Sequence, residues 1–408
     1  MSVSLDDYRD FLENTDSRVR DTLEASFAEA ARFMSPRGLQ NYLEGAKALC
    51  ALGRGTDLVT SYLQETPAVA KEVGEDVVKE CVTEAMKLSS LVSGEVIALL
   101  FSGLPTAARR LGDPELLRGF LALIHQLSAK APRGLRPMLA HLDELFSKLT
   151  LGGLRRWALW GAQAHGRDFA ALTAYFSLES ADSKAVLQKE RRGTLFVDNQ
   201  RKLNFYLRAL WGRDFFLRPT AGDYETREGL KPYIEQRVIH VADAYDDFHG
   251  LPGKDLYRAA AAHAAAHLMY TREPISAEAL NPIQMLIIGL VEDARVEALA
   301  IREFPGLKQL WAPFHAAQLD AEEPDRHPIV RLLERASRAL LDEGYRDLDP
   351  WVLEAVSLFR GELARRPEDN RLSWDLGVTL YNRLGQLGSI PSPRVLERAG
   401  APYRDDNR

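Results

Sequence analysis

The chain has 408 residues, enough for two or three domains. Hydrophobic residues make up 46% and charged residues 27%, the composition of a folded globular protein, which excludes general disorder away from the ends. The net charge of -6, from 58 acidic and 52 basic side chains, removes the electrostatic case for nucleic-acid binding.

The N-terminal stretch MSVSLDDYRDFLENTDSRVR is polar and acidic, unlike a signal peptide. No run approaches ~18 consecutive apolar residues, so no membrane insertion is expected and a cytoplasmic location is read. Cys50 and Cys81 lie in apolar helical patterns and are expected as buried thiols in a reducing compartment. Residues 1–185 read as helix after helix. Three helix pairs align on their turns, with Gly at the end of one helix and Asp57, Asp113 or Asp168 at the start of the next. These Asp residues are 56 and 55 residues apart, and Gly38 and Gly94 precede theirs by the same 19. That punctuation predicts a solenoid-like helical-repeat domain over 1–185, with an irregular bundle as the alternative.

Ser180 to Arg192 is charged and reads as a junction, and the second domain is placed at 186–408. It opens with the helical pattern NQRKLNFYLRALWGRDFF. Arg218 to Lys231 reads as loop, and VIHVADAY as β-prone, with FFLRP a candidate partner strand. Asp246, Asp247 and His249 follow on a turn, where capping is the expected role. In KDLYRAAAAHAAAHLMYT, His263 and His267 stand four apart, so both imidazoles leave one helical face beside Leu256, Ala260 and Tyr270. Two such histidines can hold one divalent metal. In NPIQMLIIGLVEDARVEALAIREF, Glu292 shares a stripe with Met285, Ile288, Val296 and Leu299, and a buried carboxylate needs a partner. His263, His267 and Glu292 are therefore the candidate ligands of a structural zinc. Core histidines, with Glu292 paired to Arg295, are the alternative. The order resembles that of gluzincin metallopeptidases, whose HExxH helix supplies a general base after the first His. Here that position is Ala264, and no catalytic residue is assigned. No Walker A sequence, GxGxxG fingerprint or CxxC pair occurs, so no nucleotide is expected on this chain.

FYLRALWGRDFFLRP, AAHAAAHL, GLVEDARVEALA, FPGLKQLW and PYRDDNR, with the earlier DFAALTAYFSLES, together resemble the CbbO/NorD family from about residue 150 onward. The resemblance implies an adaptor for a MoxR-type AAA+ ATPase hexamer, while the residues themselves read as all-α: solenoid-like helical repeats, then a helical, degenerate metallopeptidase-like domain with a small β-element. CbbO-type members work with the ATPase CbbQ on inhibited Rubisco, the favoured client. NorD-type members work beside NorQ on nitric oxide reductase. A metal-dependent hydrolase of the HxxxH type is the third alternative. Members usually end in a von Willebrand factor A domain with a DxSxS motif. None is found here, and the sequence stops after PYRDDNR, which fits a truncated form or a short member.

Overall fold

The computed structural model describes residues 5–13, 16–191, 193–220, 231–278, 280–320, 326–384, 392–396 and 399–404. The fold is all-α, with few and short strands. No helix among the described residues is long and apolar enough to cross a membrane. The chain divides into two units, 1–192 and 193–408, the first running past the expected limit at 185.

Unit 1 contains α1 (Asp6–Glu13), α2 (Ser17–Ala30), α3 (Pro36–Ala51), α4 (Thr56–Val73), α5 (Val77–Leu88) and α6 (Gly94–Leu111). It continues with α7 (Pro114–Lys130), α8 (Pro132–Ala140), α9 (Leu142–Lys148), α10 (Leu151–His165), α11 (Phe169–Phe176) and α12 (Ala181–Glu190). They pack in two rows: α2, α4, α6, α8 and α11 side by side in one, and α1, α3, α5, α7, α10 and α12 in the other. One core runs between the rows, with Tyr42 stacked on Tyr62 and Trp157 on Tyr175. The segment read as a junction is α12, capped by Ser180 and returned to α10, where Glu190 accepts from Arg156 at 2.6 Å.

The 55-residue spacing is not a structural repeat. Its first pair, α3–α4, and its second, α6–α7, are three helices apart, so corresponding helices lie in opposite rows. The Asp residues differ too. Asp113 and Asp168 cap α7 and α11 by accepting backbone N–H groups. Asp57 lies inside the first turn of α4, behind the capping Gly55, and pairs with Arg18 at 2.7 Å. Of the cysteines, Cys81 is buried, which pushes its thiol up to about 12, whereas Cys50 is only half-buried.

Unit 2 contains β1 (Thr194–Leu195), α13 (Phe196–Trp211), β2 (Phe216–Thr220), β3 (Tyr233–Glu235), β4 (Val238–Ala242) and β5 (Ala244–Tyr245). The helices α14 (Gly253–Tyr270), α15 (Pro282–Glu303), α16 (Gly306–Asp320), α17 (Pro328–Leu341), α18 (Pro350–Arg365), α19 (Arg371–Leu384) and α20 (Pro393–Leu396) follow. FFLRP is the partner strand: β2 runs parallel to β4 and pairs Leu217 with Ile239, while β3 adds antiparallel on the other side of β4. Of the expected loop at 218–231, Arg218–Thr220 belong to β2 and 221–230 lie outside the described residues. Asp246 accepts from Gly193 N, a long-range tie before β1, and Asp247 accepts from Gly253 N at the start of α14.

α14 is enclosed by α13, α15, α16, β4 and β5. A helix enclosed on all sides needs small side chains, and the Ala-rich sequence provides them, with Ala259 to Ala262 and Ala264 to Ala266 all fully buried. α15 begins with a capping box between Asn281 and Gln284 and packs on α14 and, on another face, on α19. Gly377 permits the α19 contact: a Cβ there would come within 2.9 Å of Ile288 Cα.

Candidate metal centre

The only imidazoles on α14 are His263 and His267, and helical spacing brings both to the face that meets α15. His263 is fully buried; the His267 side chain is 11% exposed. Their Nε2 atoms are 3.2 Å apart. The carboxylate facing them is Asp293, with Oδ1 at 3.7 Å from His263 Nε2 and 3.3 Å from His267 Nε2. These three residues form a group able to hold a metal ion. Asp293 Oδ1 is buried and accepts no hydrogen bond from the described residues.

Glu292, the expected third ligand, points elsewhere. Arg295, fully buried, grips it with Nε–Oε2 at 2.8 Å and a terminal nitrogen to Oε1 at 2.6 Å. Ser373 of α19 donates to Oε2 and Thr271 to Oε1, each at 2.6 Å. Glu292 is therefore a supporting group and not a partner of the histidine pair; the Arg295 pairing is the arrangement formed. Its link to the site is indirect. The Thr271 hydroxyl proton goes to Glu292, so toward His267 Nδ1, 3.3 Å away, the same oxygen accepts. That places the His267 proton on Nδ1 and turns the Nε2 lone pair to the centre.

His263 is set by Glu297, one turn beyond Asp293, whose Oε1 lies 3.1 Å from His263 Nδ1 in a bent contact. Burial pushes the Glu297 carboxyl up, but the charge of Arg404 and its contact with His263 outweigh this and hold it well below the usual carboxylate range. An ionised Glu297 only accepts, so the His263 proton belongs on Nδ1 and its Nε2 also offers a lone pair.

Sequence reasoning missed the segment 399–404 as part of this site. Arg404 donates to both Glu297 oxygens, at 3.0 and 2.5 Å, and to Ser337 Oγ at 2.6 Å. Tyr403 donates to Glu297 Oε1 at 2.8 Å and stacks on Trp311. Since the Tyr403 proton goes to Glu297, its oxygen accepts from His315 Nε2 at 2.8 Å, and His315 Nδ1 faces Ser337 Oγ at 3.4 Å. The circuit closes from Arg404 through Ser337, His315 and Tyr403 to Glu297. It requires a neutral His315, and burial, followed by the Arg404 charge, pushes this imidazole down to about 3. Gln318 and Lys231 hold the segment at the carbonyls of Gly400 and Ala399.

Comparison with known protein families, curated proteins and solved structures gives no match, so the reading of this site rests on its own geometry.

Proposed function

We propose that the chain is a non-catalytic adaptor that binds a MoxR-type AAA+ ATPase ring, CbbQ-like, in the cytoplasm and directs it to a client. Inhibited Rubisco is the favoured client, and nitric oxide reductase the alternative. The observation that favours an adaptor over a hydrolase is Ala264. A water held at the histidine pair would need a proton acceptor beside it, and the position that carries the general base in the HExxH order is here Ala264, fully buried and without a titratable group. The neighbouring carboxylates have other engagements. Asp293 faces both Nε2 atoms at ligand distance, and Glu297 receives Tyr403 and Arg404. The two-row helical unit adds extended surface of the kind that carries partner contacts in helical-repeat proteins.

The test is to mix the purified chain with MoxR-type ATPases of the CbbQ and NorQ types. Co-purification with the hexamer and a changed rate of ATP hydrolysis are expected. Absence of binding to both would overturn the adaptor reading, and chelator-sensitive hydrolysis of a peptide or ester would replace it with the hydrolase. Reactivation of inhibitor-blocked Rubisco, set against activation of nitric oxide reductase, separates the two clients.

A further inference from the structure

Three acceptors converge between α14 and α15: Nε2 of His263, Nε2 of His267 and Oδ1 of Asp293. Both Nδ1 atoms lie on the outer side, 3.1 Å from Glu297 Oε1 and 3.3 Å from Thr271 Oγ1. With the ring protons on those atoms, the Nε2 lone pairs face Asp293 Oδ1 in a buried space, an arrangement that suits a cation. The charge pattern agrees. Glu292 is balanced by Arg295 and Glu297 by Arg404, while among the described residues the guanidinium near Asp293 is that of Arg404, at 3.6 Å, which already serves Glu297. Separations of 3.2, 3.3 and 3.7 Å also suit a small tetrahedral ion. Bonds of about 2.0–2.1 Å put the ligand atoms of such an ion about 3.3–3.4 Å apart.

We propose that His263, His267 and Asp293 bind one zinc-class dication, and that this ion and the docked segment Ala399–Arg404 stabilise each other through Glu297. Two imidazole nitrogens and one carboxylate oxygen form a donor set suited to zinc, and they are the donors that converge among the described residues. The ion withdraws electrons from the His263 ring and strengthens its Nδ1–H contact with Glu297. Glu297 is the carboxylate on which Tyr403 and Arg404 close. A carboxylate behind a metal-bound histidine orients the ring and raises its affinity for the ion. The segment thereby supports the site, and by reciprocity the ion supports the segment.

The experiment is titration of the metal-stripped full chain with zinc, and with cobalt as a coloured stand-in. Its outcome is independent of any ATPase. One equivalent should bind, with the intense visible band of tetrahedral cobalt. His267→Ala and Asp293→Ala should abolish the band and weaken zinc binding by more than about 100-fold, and Glu292→Gln should keep the band with a loss of no more than about 10-fold. Tyr403→Phe should weaken zinc binding by about 10-fold. Zinc should slow hydrogen exchange of the 399–404 backbone by a comparable factor. No stoichiometric uptake by the native chain, or uptake undiminished in both ligand variants, overturns the site. Retained uptake with unchanged exchange at 399–404 overturns the coupling.

Discussion

In unit 1 several buried polar groups sit at helix ends or return to their own helix: Asp113 and Thr150 cap, and Ser89 and Ser128 donate to carbonyls three residues back. In unit 2 charged and polar groups at mid-helix face other elements: His263, Asp293 and Glu297 across α14 and α15, Glu292 bonded to Ser373 on α19, and Glu297 to Arg404 of the segment 399–404, which also reaches Ser337 on α17. Unit 1 therefore joins its rows by apolar contact and by neutral hydrogen bonds to backbone carbonyls, from Tyr42 to Leu63, Tyr62 to Tyr42 and Tyr175 to Trp157. Unit 2 joins its helices through charges taken out of water, which are costly whenever one partner is removed.

The sharpest break of this contrast is Glu297→Ala. It strands Arg404, removes the acceptor for Tyr403 and takes away the charge beside His263, so denaturant unfolding of unit 2 should lose about 3–5 kcal/mol. A loss below about 1 kcal/mol would show that the circuit contributes little. In unit 1 the matching lesion is apolar. Leu63→Ala should cost about 3 kcal/mol through the cavity it leaves, and Ser128→Ala less than about 1 kcal/mol.

Acid should separate the units further. In the unfolded chain His315 takes up a proton below about pH 6.5, while in the folded chain it stays neutral down to about 3. The unfolded state then binds more protons across that window, so stability falls as pH falls, by at most about 1.4 kcal/mol per pH unit. Melting of unit 2 followed between about pH 6.5 and 4.5, above the main carboxylate range, should show this slope. His315→Gln keeps a donor and an acceptor and should flatten it. An unchanged slope in that variant would assign the effect to other groups.

The sequence made the helical class and the His263–His267 pair readable, because spacing of four on a helix fixes a common face. It misdirected the third position for a physical reason. α15 is buried around almost its whole circumference, so the apolar stripe through Ile288, Glu292, Val296 and Leu299 did not mark the side that meets α14. That side carries Asp293 and Glu297, and the Glu292 face meets Gly377 and Ser373 of α19. A usable signal was present. Asp293 and Glu297 are also four apart, and two antiparallel one-turn pairs, His with His and Asp with Glu, oppose each other. Arg404 gave no periodic signal, since its role arises only when a segment more than a hundred residues downstream returns to Glu297. The FFLRP pairing was legible from β-propensity, whereas the rows of unit 1 were not, because punctuation by Gly and Asp recurs at helix ends whatever row a helix joins.

The finest test concerns those three Asp residues, which look equivalent in sequence and are not equivalent in structure. Asp113 and Asp168 each accept two backbone N–H groups at a helix start, so Asp113→Ala and Asp168→Ala should each cost about 1 kcal/mol. Asp57 caps nothing; its partner is Arg18, and both side chains are mostly exposed, at 68% and 60%. Exposed pairs contribute little, and Asp57 also lies in the first turn of α4, where a negative charge gains a few tenths of a kcal/mol from the helix dipole. Asp57→Ala should therefore cost less than about 0.5 kcal/mol, most of it lost in high salt. Thermal unfolding of the three variants at low and high salt decides the matter. Equal, salt-insensitive losses would make Asp57 a third cap, whereas two losses and one near-neutral change limit the capping to Asp113 and Asp168.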